Sequence, residues 1–333
     1  VATLFAEFND EPVAAASIAQ VHAATLRDGT RVAVKVRRPR LTMKVERDLR
    51  LLRLLAGILQ HAGTVGALAN PVAIVEDFAA TLRSELDFRN EGVYLAEFAR
   101  NLAAGDNYQI IVPLPVEGMV SPRVLVMTYI DGTPIDDIES LRASGHDGQE
   151  LLRIAVRAWI ESALVHGLFH GDVHAGNLFV TSEGRVAFLD FGIMGRLDAH
   201  ARDVLGHLLR ALLVDADYVS AVQAVFELGV ISQPIHNWAD AASELGTLIE
   251  PLRTARLSDI DYGEVLGRVV HIAARYHVRL PREFVLVVKQ LLYFERYSKQ
   301  LAPDFRILND PTILPLLLRP MQPGPRATPE SHG

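Results

Sequence analysis

The segment "HGDVHAGNLFV", with "VAFLDFGIM" shortly after it, constrains this chain more than any other feature. It supplies Asp172, Asn177 five residues later, and Asp190 at the head of an Asp-Phe-Gly, all set among short apolar runs. A carboxylate with an amide oxygen suits a hard divalent cation such as Mg²⁺. Any one of the three also reads as a polar turn residue capping a helix. Their joint spacing speaks for chemistry.

Phosphoryl transfer asks for such a set, because metal neutralises the phosphate oxygens while a carboxylate positions the attacking hydroxyl. The spacing matches the His-x-Asp, Asn and Asp-Phe-Gly of the protein-kinase catalytic machinery. On that reading Asn177 and Asp190 hold Mg²⁺, and Asp172 orients or deprotonates the acceptor. Upstream, "VAVK" ends a strand on Lys35, the position from which such a lysine reaches the α- and β-phosphates and pairs with a helix glutamate. The chain has only three other lysines, Lys44, Lys289 and Lys299. The helical stretch "SELDFRNEG" offers Glu85, Asp87 and Glu91 as partners. If one helix carries them all, Glu85 and Glu91 lie about 240° apart and serve two roles.

The 333 residues exceed one small core, and 50% hydrophobic with 22% charged residues is the balance of a folded protein. A net charge of −7 offers no basic stripe for nucleic acid, which excludes that partner. Without cysteine there are neither disulfides nor thiolate metal sites. No run reaches the roughly 18 apolar residues of a spanning helix, so a cytoplasmic location, at most peripheral to a membrane, is expected. Asp28-Gly29 predicts a hairpin between two strands; helices follow from Leu41 to about Asn70 and from Pro71 through Leu102. Strand composition returns up to Asp131-Gly132, where a lobe boundary is placed. An amphipathic helix over 148–169 then precedes short loop-strand segments to about Leu197 and helices to about Leu318.

Together "AAASIAQVH", "VAVKVRRP", "ELDFRNE", "HGDVHAGN", "DFG" and "VRLPREFVLVVKQLL" resemble the UbiB/AarF-type atypical kinases, from about Pro12 to Phe305. The resemblance implies an α+β, bilobal protein-kinase-like fold with a small sheet-containing N-lobe over 1–130 and a hinge at about 127–131. A larger, mostly helical C-lobe covers 131–320, and the Pro- and Gly-rich 321–333 is a disordered tail. It makes Glu91 the ion-pair partner of Lys35 and puts Glu85 and Asp87 in a regulatory Glu-x-Asp motif. In relatives that motif faces a Lys-x-Gly-Gln element on an N-terminal extension, so a truncated chain is expected here. An alanine-rich loop, Ala14, Ala15, Ala16 and Ser17, stands in place of a glycine-rich phosphate loop. Alanine's Cβ restricts the φ > 0 conformations that let backbone N–H groups close on phosphates. Such a loop covers the nucleotide with altered geometry, or is a small-residue turn for packing.

The adenine is expected at the backbone of Met127, Tyr129 and Ile130, and Asp131 is either a ribose contact or a turn residue. His174 braces the catalytic loop or touches the metal. The helix "PREFVLVVKQLLYFERYSKQL" faces the core or lies on a membrane. The expected activity is that of an atypical kinase or ATPase using Mg-ATP or Mg-ADP between two lobes. By resemblance it supports isoprenoid quinone biosynthesis or lipid homeostasis, with a lipid or quinone precursor as candidate acceptor. A small-molecule phosphotransferase of the choline- or aminoglycoside-kinase type, and a nucleotide-binding lipid or protein scaffold, are the alternatives.

Overall fold

The structure, a computed structural model, describes residues 3–16, 18–61, 71–105, 107–227, 238–276 and 282–318. It is a mixed α+β chain that divides into two compact units. The first unit takes 1–100, 112–131 and Asp190–Gly192, and the second takes the remainder. The expected boundary at about 131 therefore needs two exchanges. The segment 101–111 joins the second unit because Ile110 and Ile111 pair there with Val186 and Ala187, and the first unit gains Asp190–Gly192.

The first unit opens with β1 (Phe5–Phe8), β2 (Ala14–Ala15), β3 (Ala19–Leu26) and β4 (Arg31–Arg37). Gly29 makes the β3–β4 turn at φ 89°, and Asp28 Oδ1 accepts the Thr30 N–H at 2.9 Å. Helices α1 (Leu41–His61), α2 (Pro71–Glu85) and α3 (Phe88–Ala104) follow. After the short β5 (Ile110–Ile111) of the second unit, β6 (Pro115–Val120) and β7 (Val124–Thr128) return to the sheet, whose order is β1-β3-β4-β7-β6. Val32 and Val34 of β4 pack with Phe5, Ala24 and Val126 on one face. Burying such a side chain contributes about 1.5–3 kcal/mol.

α3 covers the other face, and Gly92 is what lets it approach. A Cβ there would sit 3.2 Å from Val120 Cγ1 and 3.7 Å from Leu125 Cδ1. The single helix expected from Pro71 through Leu102 is in fact two. Leu86 and Asp87 leave helical geometry, Arg37 donates to the Leu86 carbonyl, and Asp87 Oδ1 accepts the Arg89 N–H at 3.0 Å to start α3 afresh.

In the second unit, β8 (Thr133–Pro134) precedes α4 (Ile138–Ala143) and α5 (Gly148–Glu161). Asp147 caps α5 by accepting the Gln149 N–H. The predicted helix over 148–169 ends earlier, in a π-helical turn at Ser162–His166 closed by left-handed Gly167. A Cβ on Gly167 would meet the Leu197 carbonyl oxygen at 2.5 Å. From there β9 (Leu168–His170), β10 (Leu178–Val180), β11 (Val186–Phe188) and β12 (Met194–Arg196) form two small sheets, β5-β11-β10-β8 and β12-β9. The remainder is helical: α6 (Ala199–Arg210), α7 (Tyr218–Glu227), α8 (Trp238–Thr254), α9 (Tyr262–Arg275), α10 (Arg282–Leu301) and α11 (Leu314–Leu317). Among the described residues no helix is long and apolar enough to cross a membrane.

Candidate active site

Lys35 sits on the covered face of β4, opposite Leu125 of β7, and is 2% exposed. Its Nζ donates to both Glu91 oxygens, at 2.8 and 2.9 Å, and to Asp190 Oδ1 at 2.8 Å. Burial alone would push the ammonium's pKa down. The carboxylates of Glu91 and Asp190 outweigh it and hold Lys35 above the ordinary lysine value. The Phe88 ring lies 5.4 Å from the same Nζ. Asp190 takes a left-handed conformation, φ 55°, uncommon outside glycine, and its Oδ1 also accepts the Gly192 N–H at 3.2 Å. Phe191 packs edge-on against Phe98 of α3 at 5.1 Å. The first unit thus brings together three of the residues singled out by sequence.

Glu85 and Asp87 do not share the helix of Glu91, which corrects the argument from 240° of rotation. Glu85 is the last residue of α2, and Asp87 lies in the break. Asp87 binds the Arg89 guanidinium, and that hydrogen bond holds its carboxyl below the usual range. Both residues are partly exposed.

The alanine-rich segment is a strand rather than a cradle. Ala14 and Ala15 are exposed residues of β2 paired with Val21 and Gln20, and the Ala16 N–H donates to the Ala19 carbonyl at 2.9 Å. Ser17 lies outside the described residues, as do the tail 321–333 and the start of the late motif, 278–281. At the proposed hinge, Met127 pairs with Ala33, and the Thr128 and Tyr129 N–H groups donate to the carbonyls of Leu114 and Arg31. Tyr129 therefore has no N–H left for a base edge. Of the three hinge residues, Ile130 lies beyond the strand pairing. Asp131 pairs with Arg31, whose guanidinium lies 4.0 Å from the Tyr129 ring centroid.

The second unit holds the loop from His170 to Asn177. His170 is fully buried; its Nε2 lies 2.9 Å from the Leu189 carbonyl and its Nδ1 accepts the Asp172 N–H at 3.1 Å. These bonds fix a neutral ring with the proton on Nε2. Asn177 closes the loop, its Nδ2 donating to the Asp172 carbonyl at 2.9 Å and its own carbonyl accepting from Leu189. Asn177 Oδ1 is the acceptor that remains for a cation. His174 braces the loop by accepting the Gly176 N–H on Nδ1.

Asn177 Oδ1 in the second unit and the Asp190 carboxylate in the first are each a hard oxygen donor of the kind Mg²⁺ takes, one or two from protein with water and phosphate oxygens completing its shell. Among the described residues there is no cluster of three or more His, Cys, Asp or Glu of the kind that softer metals require.

Three residues of α10 were missed. Lys289 Nζ donates to Asp172 Oδ1 at 2.7 Å. Gln290, fully buried, accepts the Val173 N–H at 2.8 Å and donates to the Gly171 carbonyl at 2.7 Å. Tyr297 donates its hydroxyl to the Val173 carbonyl at 2.8 Å, and burial pushes its pKa up. The signal in the sequence was a Lys-Gln pair inside the apolar run "FVLVVKQLLYF". Over Gln290–Ser298 this helix turns buried side chains to the core.

Comparison with known proteins gives concordant matches. Residues 1–225 match the ABC1 atypical kinase-like domain, and residues 245–306 match the UbiB helical domain. The uncharacterized protein Rv0647c of Mycobacterium tuberculosis is 41% identical over 94% of this chain and 64% of its own length. A probable protein kinase UbiB of Marinobacter nauticus is 34% identical over 91% of this chain and 56% of its own length. The chain thus spans somewhat over half the length of these curated relatives. The solved structure of Rv3197 with erythromycin, from M. tuberculosis, superposes with a TM-score of 0.58 at 24% identity, covering 90% of this chain and 78% of that one. The fold is kinase-like.

Proposed function

Because this chain belongs to the ABC1 atypical kinase-like family, we propose that it binds Mg-ATP or Mg-ADP and transfers the γ-phosphoryl group to a hydroxyl or to water. The observation that carries the reading is the buried Lys35 ammonium shared by Glu91 and Asp190. A lysine held charged within a sheet strand, and fixed by a helix carboxylate, is equipped to meet phosphate oxygens. Asp190 and Asn177 would hold Mg²⁺, which when bound neutralises charge on the phosphate oxygens.

Asp172 orients the acceptor oxygen and receives its proton as that oxygen bonds to phosphorus. The bond from phosphorus to the bridging oxygen breaks, and ADP leaves with the electron pair. Ile130 N–H and the neighbouring carbonyls are the hinge groups for the adenine edge. Ala14 to Ala16 flank the phosphates as a strand whose N–H groups are partly spent on its own sheet, which favours loose covering over tight phosphate clamping.

The acceptor class, a lipid or quinone precursor, follows from the resemblance to UbiB/AarF-type kinases that the sequence motifs carry. A site kept only for scaffolding has no use for five residues in these roles. The test is a division of labour. Asp190→Ala should abolish Mg-dependent ADP binding in calorimetry, whereas Asp172→Asn should spare binding and remove release of inorganic phosphate from ATP. Equal loss of binding in both variants contradicts the assignment.

A further inference from the structure

Each of the two carboxylates in the reading above is matched by a lysine. Lys35 Nζ lies 2.8 Å from Asp190 Oδ1, and Lys289 Nζ lies 2.7 Å from Asp172 Oδ1. Lysine is scarce in this chain, with four residues among 33 basic ones, so two of the four stand on these carboxylates. Lys289 is also held in place by its own helix. Its neighbour Gln290 bonds the backbone on either side of Asp172, at Gly171 and Val173, and Tyr297 two turns on bonds Val173 again. α10 cannot slide against the loop without breaking those bonds. The Tyr293 ring, one turn from Lys289, lies 5.8 Å from its Nζ. The other cationic candidate facing Asp172 is His174, whose Nε2 is 3.7 Å from Oδ2, beyond hydrogen-bond reach.

A carboxylate that must work beside a polyphosphate meets like-charge repulsion, and an ammonium at contact distance offsets it. Lysine suits this better than the arginine that predominates elsewhere in the chain. The Lys289 ammonium is a compact charge that contacts one oxygen of Asp172, Oδ1, whereas an arginine fork is built to span both carboxylate oxygens. Resting on the phosphotransfer reading, we propose that Lys289 is the positioning residue for Asp172. Delivered by α10 rather than by the catalytic loop, it fixes Oδ1 so that Oδ2 faces the acceptor and takes its proton.

The test uses Mg-ATP hydrolysis and the thermal shift with Mg-ADP, on the unaltered chain and on K289M, K289R, D172N and the K289M/D172N double variant. K289M keeps the aliphatic stem and should lower kcat by roughly 10²-fold, the size of effect seen when one electrostatic partner of a reacting group is removed. Its KM for ATP and its Mg-ADP shift should stay within about twofold of the unaltered chain's, as expected when an interaction matters only in the transition state. K289R keeps the charge but can engage both Asp172 oxygens, so its kcat should lie above that of K289M and below that of the unaltered chain. The double variant should be no slower than D172N alone.

Unchanged kcat in K289M, a loss that falls on KM, no recovery in K289R, or additive losses in the double variant would each overturn the proposal. If K289M does not fold, K289Q carries the same comparison. An unaltered chain that shows no Mg-dependent shift with ADP overturns the nucleotide reading and this inference together. One that binds and turns over, yet is indifferent to Lys289, overturns the inference alone; one that binds without hydrolysing ATP does the same.

Discussion

Lys35 and Glu91, 56 residues apart in sequence, meet as a buried ion pair in which one ammonium contacts both carboxylate oxygens, at 2.8 and 2.9 Å. Removing one member leaves the other charged and buried. Lys35→Met should therefore destabilise the first unit by about 3–5 kcal/mol, while Lys35→Met with Glu91→Leu should recover most of that loss. Urea unfolding, with hydrogen exchange followed in α3, measures both. A double variant as unstable as the single one would show that the pair is not the unit of stability here.

Gly92→Ala separates stability from function. Alanine improves helix propensity by up to about 1 kcal/mol, but its Cβ would press Val120 Cγ1 at 3.2 Å. Stability should change little, while ADP binds several-fold more weakly because the displaced helix carries Glu91 on the preceding residue. Adding Val120→Ala makes room and should restore affinity. Affinity unmoved by Gly92→Ala would show that α3 can shift without disturbing Lys35.

The α10 clamp predicts a graded series. Gln290→Leu leaves the Val173 N–H and the Gly171 carbonyl without their buried partner, at about 1–3 kcal/mol for each group. Tyr297→Phe loses one bond, to the Val173 carbonyl, and should cost about 1 kcal/mol. Thermal unfolding orders the two, and phosphate release should fall further in Gln290→Leu than in Tyr297→Phe. The reverse order would remove the clamp from the account.

Asp87 gives a pH dependence with a definite sign. Its carboxyl is held below the model-compound value of 3.8, first by the side-chain hydrogen bond from Arg89. A depressed folded-state pKa contributes stability that is present above the unfolded value and lost as pH falls through the folded one. The melting temperature should thus drop more steeply below about pH 4 in the unaltered chain than in Asp87→Asn. Parallel profiles for the two would show that Asp87 does not cap α3 through its charge.

Much of this site was legible along the chain because its residues stand in or beside short strands in fixed local spacing, although β4 runs two residues past Lys35 instead of ending on it. Lys35 closes a buried run, and Asp172, Asn177 and Asp190 punctuate three short strands. The choice between Glu85 and Glu91 was not legible from helical geometry. The break between them is made by tertiary contacts, with Arg37 donating to the Leu86 carbonyl and the Phe88 N–H directed at the Pro122 carbonyl. Only the family resemblance pointed to Glu91. At Tyr129 strand pairing extends one residue past β7, to Arg31, which engages an N–H that the sequence alone leaves open to a base edge. Lys289 escaped notice for a plainer reason. It lies 117 residues from Asp172, on a helix whose periodicity reports which face is apolar and not what its polar residues touch.

In the proposed function Lys35, Asp190 and Asn177 serve a magnesium nucleotide. Thermal unfolding of this chain in an ADP titration, with and without Mg²⁺, tests it most directly. Ligand at about 100-fold excess over Kd should add roughly 2.7 kcal/mol to the folded state, and the shift should vanish without Mg²⁺ and in Asp190→Ala. A chain that is stabilised equally with and without Mg²⁺, or not at all, would contradict the account.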